Sequence, residues 1–471
     1  MDIEPSDITF KRVVNESYLL SKLAIPIVIS YVLQNIIPLA SVYSLGHLGP
    51  TELAASALSN MFASVTGWSV AMGMATALDT LCSQAFTGAR NLHIVGIYLQ
   101  RGILISLTLL IPVSFLWLYA ENILLLLKQD PELAYYCGRY LKILLLGAPP
   151  YIVFECLKKF LQAQDIMTAA TYILFSVIPI NVVLNFLLVF YEPTRLGFDG
   201  APLTVALTNW CMMIFAIIYI RLFKGYQAWG GWTKESLDGW YEFLKLGIPG
   251  IIMVCAEWWA FEVMGLAASY LGKAPLAAHA VSLTTCNLFY MVPLGLSIAA
   301  SNRMGNLLGD ATSNRAKLCG LAALLLALLF SMINSTILVV FRDFWGYLFT
   351  DDESVALLAK SILPIAALFQ VFDGLSGVSG GLLRGQGRQK LGAIVNVIAY
   401  YGLSLPIGFY LAFGLGWGVY GLWWGLAIAL FLCALTLVSA ILYTNWEEEV
   451  FNCQERLRQE EMDRMNGPEI V

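Results

Sequence analysis

Apolar residues in this chain fall in long blocks, not at the short periods of a half-buried helix or strand. Twelve blocks stand at 24–45, 52–77, 95–119, 138–157, 168–190, 202–221, 246–269, 276–300, 317–341, 357–378, 391–413 and 418–443. Each has about the 20 residues that a helix needs to cross the hydrocarbon of a bilayer. The pattern predicts an all-α membrane protein of twelve transmembrane helices. The polar segments between the blocks complete the plan. Residues 1–22 carry mixed charge, lack the apolar core and cleavage site of a signal peptide, and are expected to form a short cytoplasmic leader. Residues 222–245 form a basic linker, and the charged stretch 444–471, with no second core, is expected to be a frayed helix or disordered.

The pattern also repeats. A shift of 223 residues lays Leu23-Ala-Ile-Pro26 on Leu246-Gly-Ile-Pro249, Leu48-Gly49 on Leu271-Gly272 and Leu53-Ala-Ala55 on Leu276-Ala-Ala278. At shifts of 221–222 Asp130 meets Asp352, Leu161-Gln-Ala-Gln164 meets Leu383-Arg-Gly-Gln386, and Gly197 and Gly200 meet Gly418 and Gly421. Each repeat holds six spans, an even number that returns the chain to its starting side. The two lobes, 23–221 and 246–443, therefore share one orientation, as six-helix bundles related by a pseudo-twofold axis along the membrane normal.

Composition agrees: 59% of residues are hydrophobic and 13% charged, too few charges for a water-soluble globule. A net charge of −5 offers no general attraction to nucleic acid. The useful signal is where basic residues fall. Nineteen, among them Lys158, Lys159, Arg303 and Arg384, fall on the side of the N-terminus, seven fall on the other, and Arg101 alone is left inside a span. This bias places both termini in the cytoplasm. The nine cysteines are dispersed, show no metal-ligand spacing, and read as small core residues.

An ionisable group in mid-membrane costs about 2.5–3.5 kcal/mol on insertion scales and is a functional candidate for that reason. Glu257 and Glu262 lie in the seventh block and Asp373 in the tenth. Five residues apart is about 140° around a helix, so the two glutamates do not share a face. The repeat sets Glu257 opposite Gln34 and Asp373 opposite Tyr151, which concentrates charge in the C-terminal half. A carboxyl group lining a passage that opens alternately can exchange protons with either side. The alternative for all three is a structural polar group bonded to Trp258, Gln370 or backbone. Trp258, Trp259, Phe261 and Tyr290 offer ring faces to a flat or cationic molecule; Gln34, Asn60 and Thr284 are candidate polar contacts. Aromatic stripes also pack cores, and the glycines 374, 377, 380 and 381 signal close helix approach or a bend before any ligand. The three histidines are scattered, and no phosphate loop, dinucleotide fingerprint, HExxH, voltage-sensor repeat or potassium filter is present. No enzymatic activity, metal or cofactor is expected; the driving force would be a proton gradient.

Four motifs, in order, carry a resemblance. Asp79-Thr-Leu-Cys-Ser-Gln84-Ala85-Phe86, Glu257-Trp-Trp-Ala-Phe-Glu262, Tyr290-Met-Val-Pro293 with Arg303-Met-Gly305-Asn306-Leu-Leu-Gly309, and Gly381-Leu-Leu-Arg384-Gly385-Gln-Gly387-Arg-Gln389 resemble the eukaryotic multidrug and toxic-compound extrusion (MATE) transporters over residues 18–445. The resemblance implies two six-helix bundles flanking a central cleft and export of organic compounds in exchange for protons. It puts proton coupling on Glu257, Glu262 and Asp373, and substrate contacts on Trp258 and Tyr290. The chain departs from the animal pattern at Thr284, where an acid is often found, and its tenth-span acid is Asp and not Glu. Two other functions stay open at this point. A lipid-linked oligosaccharide flippase of the same superfamily would call for cations in its cleft, and a membrane receptor or scaffold would bind no cargo. The expected partners are a small organic substrate, protons and the bilayer, with no nucleic acid. The expected setting is a monomer in the plasma membrane or a vacuole-type membrane.

Overall fold

The computed structural model describes residues 9–466; residues 1–8 of the expected leader and 467–471 of the tail lie outside them. Among the described residues twelve helices are long and apolar enough to cross a membrane: α1 (Phe10–Leu48), α2 (Pro50–Gly88), α3 (His93–Leu118), α4 (Pro131–Ala163), α5 (Ala169–Val189), α6 (Gly197–Leu222), α7 (Trp240–Tyr270), α8 (Lys273–Gly309), α9 (Ser313–Val340), α10 (Glu353–Gln386), α11 (Gln389–Gly414) and α12 (Val419–Leu442). A final helix, α13, runs Trp446–Asn466. No strand occurs among the described residues. A helix satisfies its backbone within itself, as hydrocarbon requires, and its outer face can then stay apolar: α9 leaves Leu325, Leu328, Leu329, Met332 and Ile333 exposed.

The weak repeat matches have specific structural causes. Asp130 and Asp352 are the N-caps of α4 and α10. The Asp130 carboxylate accepts from the amides of Glu132 and Leu133 at 2.9 and 3.2 Å. That of Asp352 accepts from the Ser354 hydroxyl and amide at 2.6 and 2.9 Å. These bonds hold the Asp352 carboxyl below its usual range, the Ser354 hydroxyl contributing most. The same two helices end alike. Ile166 N donates to Leu161 O at 3.0 Å and Arg388 N to Leu383 O at 2.8 Å. Each bond closes a turn through a left-handed residue, Asp165 (φ +60°) and Gly387 (φ +83°). Gly197 and Gly418, just before or at the starts of α6 and α12, share φ values of +59° and +57°.

The chain forms two compact units. Among the described residues one contains 29–86 and 90–251, the other 9–28, 87–89 and 252–466. In the first, Trp117, Tyr140, Leu141 and Leu144 anchor an apolar core, and the linker is held on α3. Gln100 donates to Gly231 O at 2.7 Å and accepts from Thr233 N at 3.0 Å, and Arg101 reaches Glu235 O. In the second, residues 10–22 are not a separate leader: they are the opening turns of α1, where Glu16 is buried and accepts from Arg303 Nε at 3.0 Å.

The tail also departs from expectation. Trp446, Cys453 and Leu457 are buried on one face of α13, at the spacing of a helical seam. Gln454 donates to Gly309 O at 2.8 Å, and Trp446 packs on Gly320. A run dominated by Glu, Gln and Arg conceals that stripe of three apolar residues. Eight of the nine cysteines are buried and all nine are free thiols.

Gly387→Ala is expected to lower stability by about 1 kcal/mol or more, because an L side chain is strained at this φ. Its Cβ would also stand 2.6 Å from the Arg456 guanidinium. Asp165→Gly should leave stability unchanged or raise it. Thermal unfolding of the detergent-solubilised protein distinguishes the pair.

Candidate functional site

In the second unit, α7, α8, α10 and α11 bring five polar side chains together. Asp373 is buried and interacts electrostatically with Glu257, which also feels Arg384. Tyr290 is in electrostatic range of all three, and Tyr400 of both acids. Arg384, assigned from sequence to a cytoplasmic loop, lies on α10 and donates to Ser297 Oγ at 3.0 Å. Ser297 in turn donates to Gly377 O at 2.6 Å.

Glycine makes this convergence possible. Gly374, Gly377, Gly381 and Gly385 form one face of α10, and against them pack Pro293, Tyr290, Ser297 and Ser301 of α8. A Cβ at Gly381 would lie 2.4 Å from Ser297 O, and one at Gly377 2.6 Å from the Tyr290 hydroxyl oxygen. The backbones touch because nothing projects between them. Gly380 points elsewhere, towards Met253 of α7.

The other expected residues of this unit are arranged around or away from the cluster. Trp258 is half-buried beside Glu257, and Phe261 meets Phe369 and Tyr400 edge-on at 6.1 Å. Glu262 and Thr284 lie on exposed faces of α7 and α8, outside the cluster, whose Asp373 and Tyr400 are buried and whose Glu257, Tyr290 and Arg384 are half-buried. Gln370 donates to Cys286 O at 3.1 Å, so its amide holds α8. His279 is buried against Trp423, a core histidine.

In the first unit, Gln34 of α1 donates to Glu155 Oε1 at 3.0 Å and accepts from Lys158 Nζ at 3.2 Å. Glu155 and Lys158 of α4 pair at 2.8 Å with side chains 3% and 1% exposed. Lys159 pairs at 2.9 Å with Asp79 of α2, also buried. Tyr151 lies 4.5 Å from Trp68, which a π-helical turn at Ser64–Trp68 turns towards it. Asn60 hydrogen-bonds Tyr140.

Two expectations fail here. Charge is not concentrated in the C-terminal half, and Arg101 is not the one cation inside a span: Lys158, Lys159, Arg303 and Arg384 all belong to spanning helices. Scarcity of cations therefore carries no weight against the flippase reading. The fourth span does not end at 157, although Lys158-Lys159 has the composition of a loop. α4 continues to Ala163, and the i, i+3 spacing of Glu155 and Lys158 was the available signal.

Known proteins place these features. The MatE family model matches twice, at residues 26–187 and 249–410, offset by the same 223 residues as the repeat. The chain is a MATE transporter. An uncharacterised transporter of Schizosaccharomyces pombe is 43% identical over 435 residues, 92% of this chain and 80% of that protein. Multidrug and toxin extrusion protein 1 of Homo sapiens is 37% identical over 404 residues, 86% of this chain and 70% of its own. The crystal structure of the eukaryotic MATE transporter AtDTX14 matches with a TM-score of 0.89 at 31% identity, covering 95% of this chain and all of that one. As a MATE protein the chain is a multi-pass membrane transporter.

Gly381→Ala in this MATE transporter should cost about 1–3 kcal/mol, since the intruding methyl meets backbone that cannot retreat. Gly402→Ala, where a Cβ meets only Ile398 at 3.8 Å, is the matched control. The expected outcome is a lower midpoint of thermal unfolding for the first and little change for the second.

Proposed function

We propose that this transporter exports organic compounds in exchange for protons, and that Glu257 and Asp373 hold the exchanged proton. One observation carries the reading: two acids and one base, Arg384, interact in the same cluster. With both acids ionised the cluster bears one negative charge, and one bound proton makes it neutral. A cationic cargo and a proton thus compete for the same charge, which is what exchange requires.

Tyr290 and Trp258 beside the acids offer faces to a cation, worth about 0.5–2 kcal/mol each. Glu262, on the exposed side of α7, is the entry group that passes protons to the cluster. Thr284 adds a polar contact; in the first unit the Gln34 amide is engaged by Glu155 and Lys158, while Asn60 and Tyr151 are further candidate polar contacts. In the first unit Lys158 and Lys159 are each matched to an acid, which favours organic-compound antiport over lipid-linked sugar flipping. The cycle is alternating access by a monomer with both termini in the cytoplasm, in the plasma membrane or a vacuole-type membrane.

In proteoliposomes with an imposed pH gradient, the purified protein is expected to drive uptake of organic cations. Glu257→Gln should abolish that uptake, and Asp373→Asn should reduce it at least tenfold. Undiminished gradient-driven transport by either variant removes that residue from the coupling role.

A further inference from the structure

The ammonium of Lys158 has an unusually complete shell for a side chain inside a membrane helix. Its Nζ lies 2.8 Å from Glu155 Oε1 and 3.2 Å from Gln34 Oε1. The ring centroid of Tyr31 stands 4.4 Å away and that of Phe154 5.7 Å. Gln34 Nε2 bonds the same carboxylate oxygen at 3.0 Å and fixes it in place. Three N–H groups thus meet a carboxylate, an amide carbonyl and an aromatic face, the donor set that recognises a free primary ammonium. Glu155, Lys158 and Tyr31 are all buried.

The repeat shows what the lysine changes. A shift of 223 sets Gln34 on Glu257, and a shift of 222 sets Glu155 and Lys158 on Gly377 and Gly380. In the second unit the corresponding stretch of α10 has no tethered cation at these positions, and its acid cluster keeps a surplus negative charge. In the first unit the acid and the cation come from one helix, a single turn apart, and cancel.

We propose that the first unit holds a cation cage, formed by Glu155, Gln34, Tyr31 and Phe154, for a primary ammonium, and that Lys158 fills it as a built-in ligand. The tethered amine is present at a local concentration that no dissolved cation matches. The cage is thereby closed to external cations, and cation exchange is confined to the second unit. Only this last consequence rests on the antiport reading; occupancy of the cage can be measured without transport.

The test is ligand-dependent thermal stability of the full-length protein in detergent. Lys158→Ala removes the built-in ligand and leaves the cage with a net negative charge. n-Butylammonium chloride is expected to raise the unfolding midpoint of Lys158→Ala at concentrations at least tenfold below those that affect the parent protein. Tetraethylammonium chloride at equal ionic strength, which has no N–H donors, should not. Adding Glu155→Gln should abolish the response. If n-butylammonium stabilises parent and variant alike, or if the response survives Glu155→Gln, the assignment is overturned. Should Lys158→Ala not give a monodisperse protein, Lys158→Met keeps the stem and is assayed with ammonium chloride. Stabilisation that Glu155→Gln removes supports the cage, and no stabilisation overturns it. Loss of gradient-driven transport plays no part in this measurement, so it and the antiport reading fail separately.

Discussion

Hydrocarbon offers no hydrogen-bond partner and almost no screening, so each charge in a spanning helix must be answered from within the protein. Lys159 with Asp79, Lys158 with Glu155, and Arg303 with Glu16 obey that rule one for one. The group around Glu257 does not: Asp373 shares its environment, and Arg384 answers only one of the two. A surplus of one acid is costly in a structural core. It is useful where the missing positive charge is supplied by something that comes and goes.

Burying apolar side chains against one another gains little when the alternative is lipid, so helices in a membrane cohere through close packing and polar bonds. The seam between α8 and α10 follows from this. Small residues recur along α10 at 374, 377, 381 and 385, while hydroxyls and a proline face them from α8, and the chain of bonds from Arg384 to Ser297 to Gly377 O runs along the join. The same closeness that holds the helices together brings Tyr290 into electrostatic range of the acid pair. Packing and site geometry are one arrangement.

Much of the fold could be read from residue type alone, because membrane thickness dictates the length of every apolar block. Even the faint matches between halves had meaning: Asp130 and Asp352 cap equivalent helices, and Gln164 and Gln386 precede equivalent left-handed turns. Legibility failed where charge occurred at a helix end. Glu-Cys-Leu-Lys-Lys carries the composition of a loop, and only its partners on other helices, Asp79 and Gln34, reveal that it is buried. Long-range pairing leaves no local trace, so beyond the i, i+3 spacing of Glu155 and Lys158 the polar network of the first unit is hidden while the isolated acids of the second stand out. α13 is hidden for a related cause, since three apolar residues in a charged run change the mean composition very little.

The docking of α13 bears on how the protein can be handled. A chain cut back to Thr444 would strip Trp446 from Gly320 and leave the carbonyls of Leu308 and Gly309 without the Gln454 amide. It would also bare an apolar strip on the surface, an invitation to clumping during purification. Affinity handles and fluorescent fusions are better joined after α13 than put in its place.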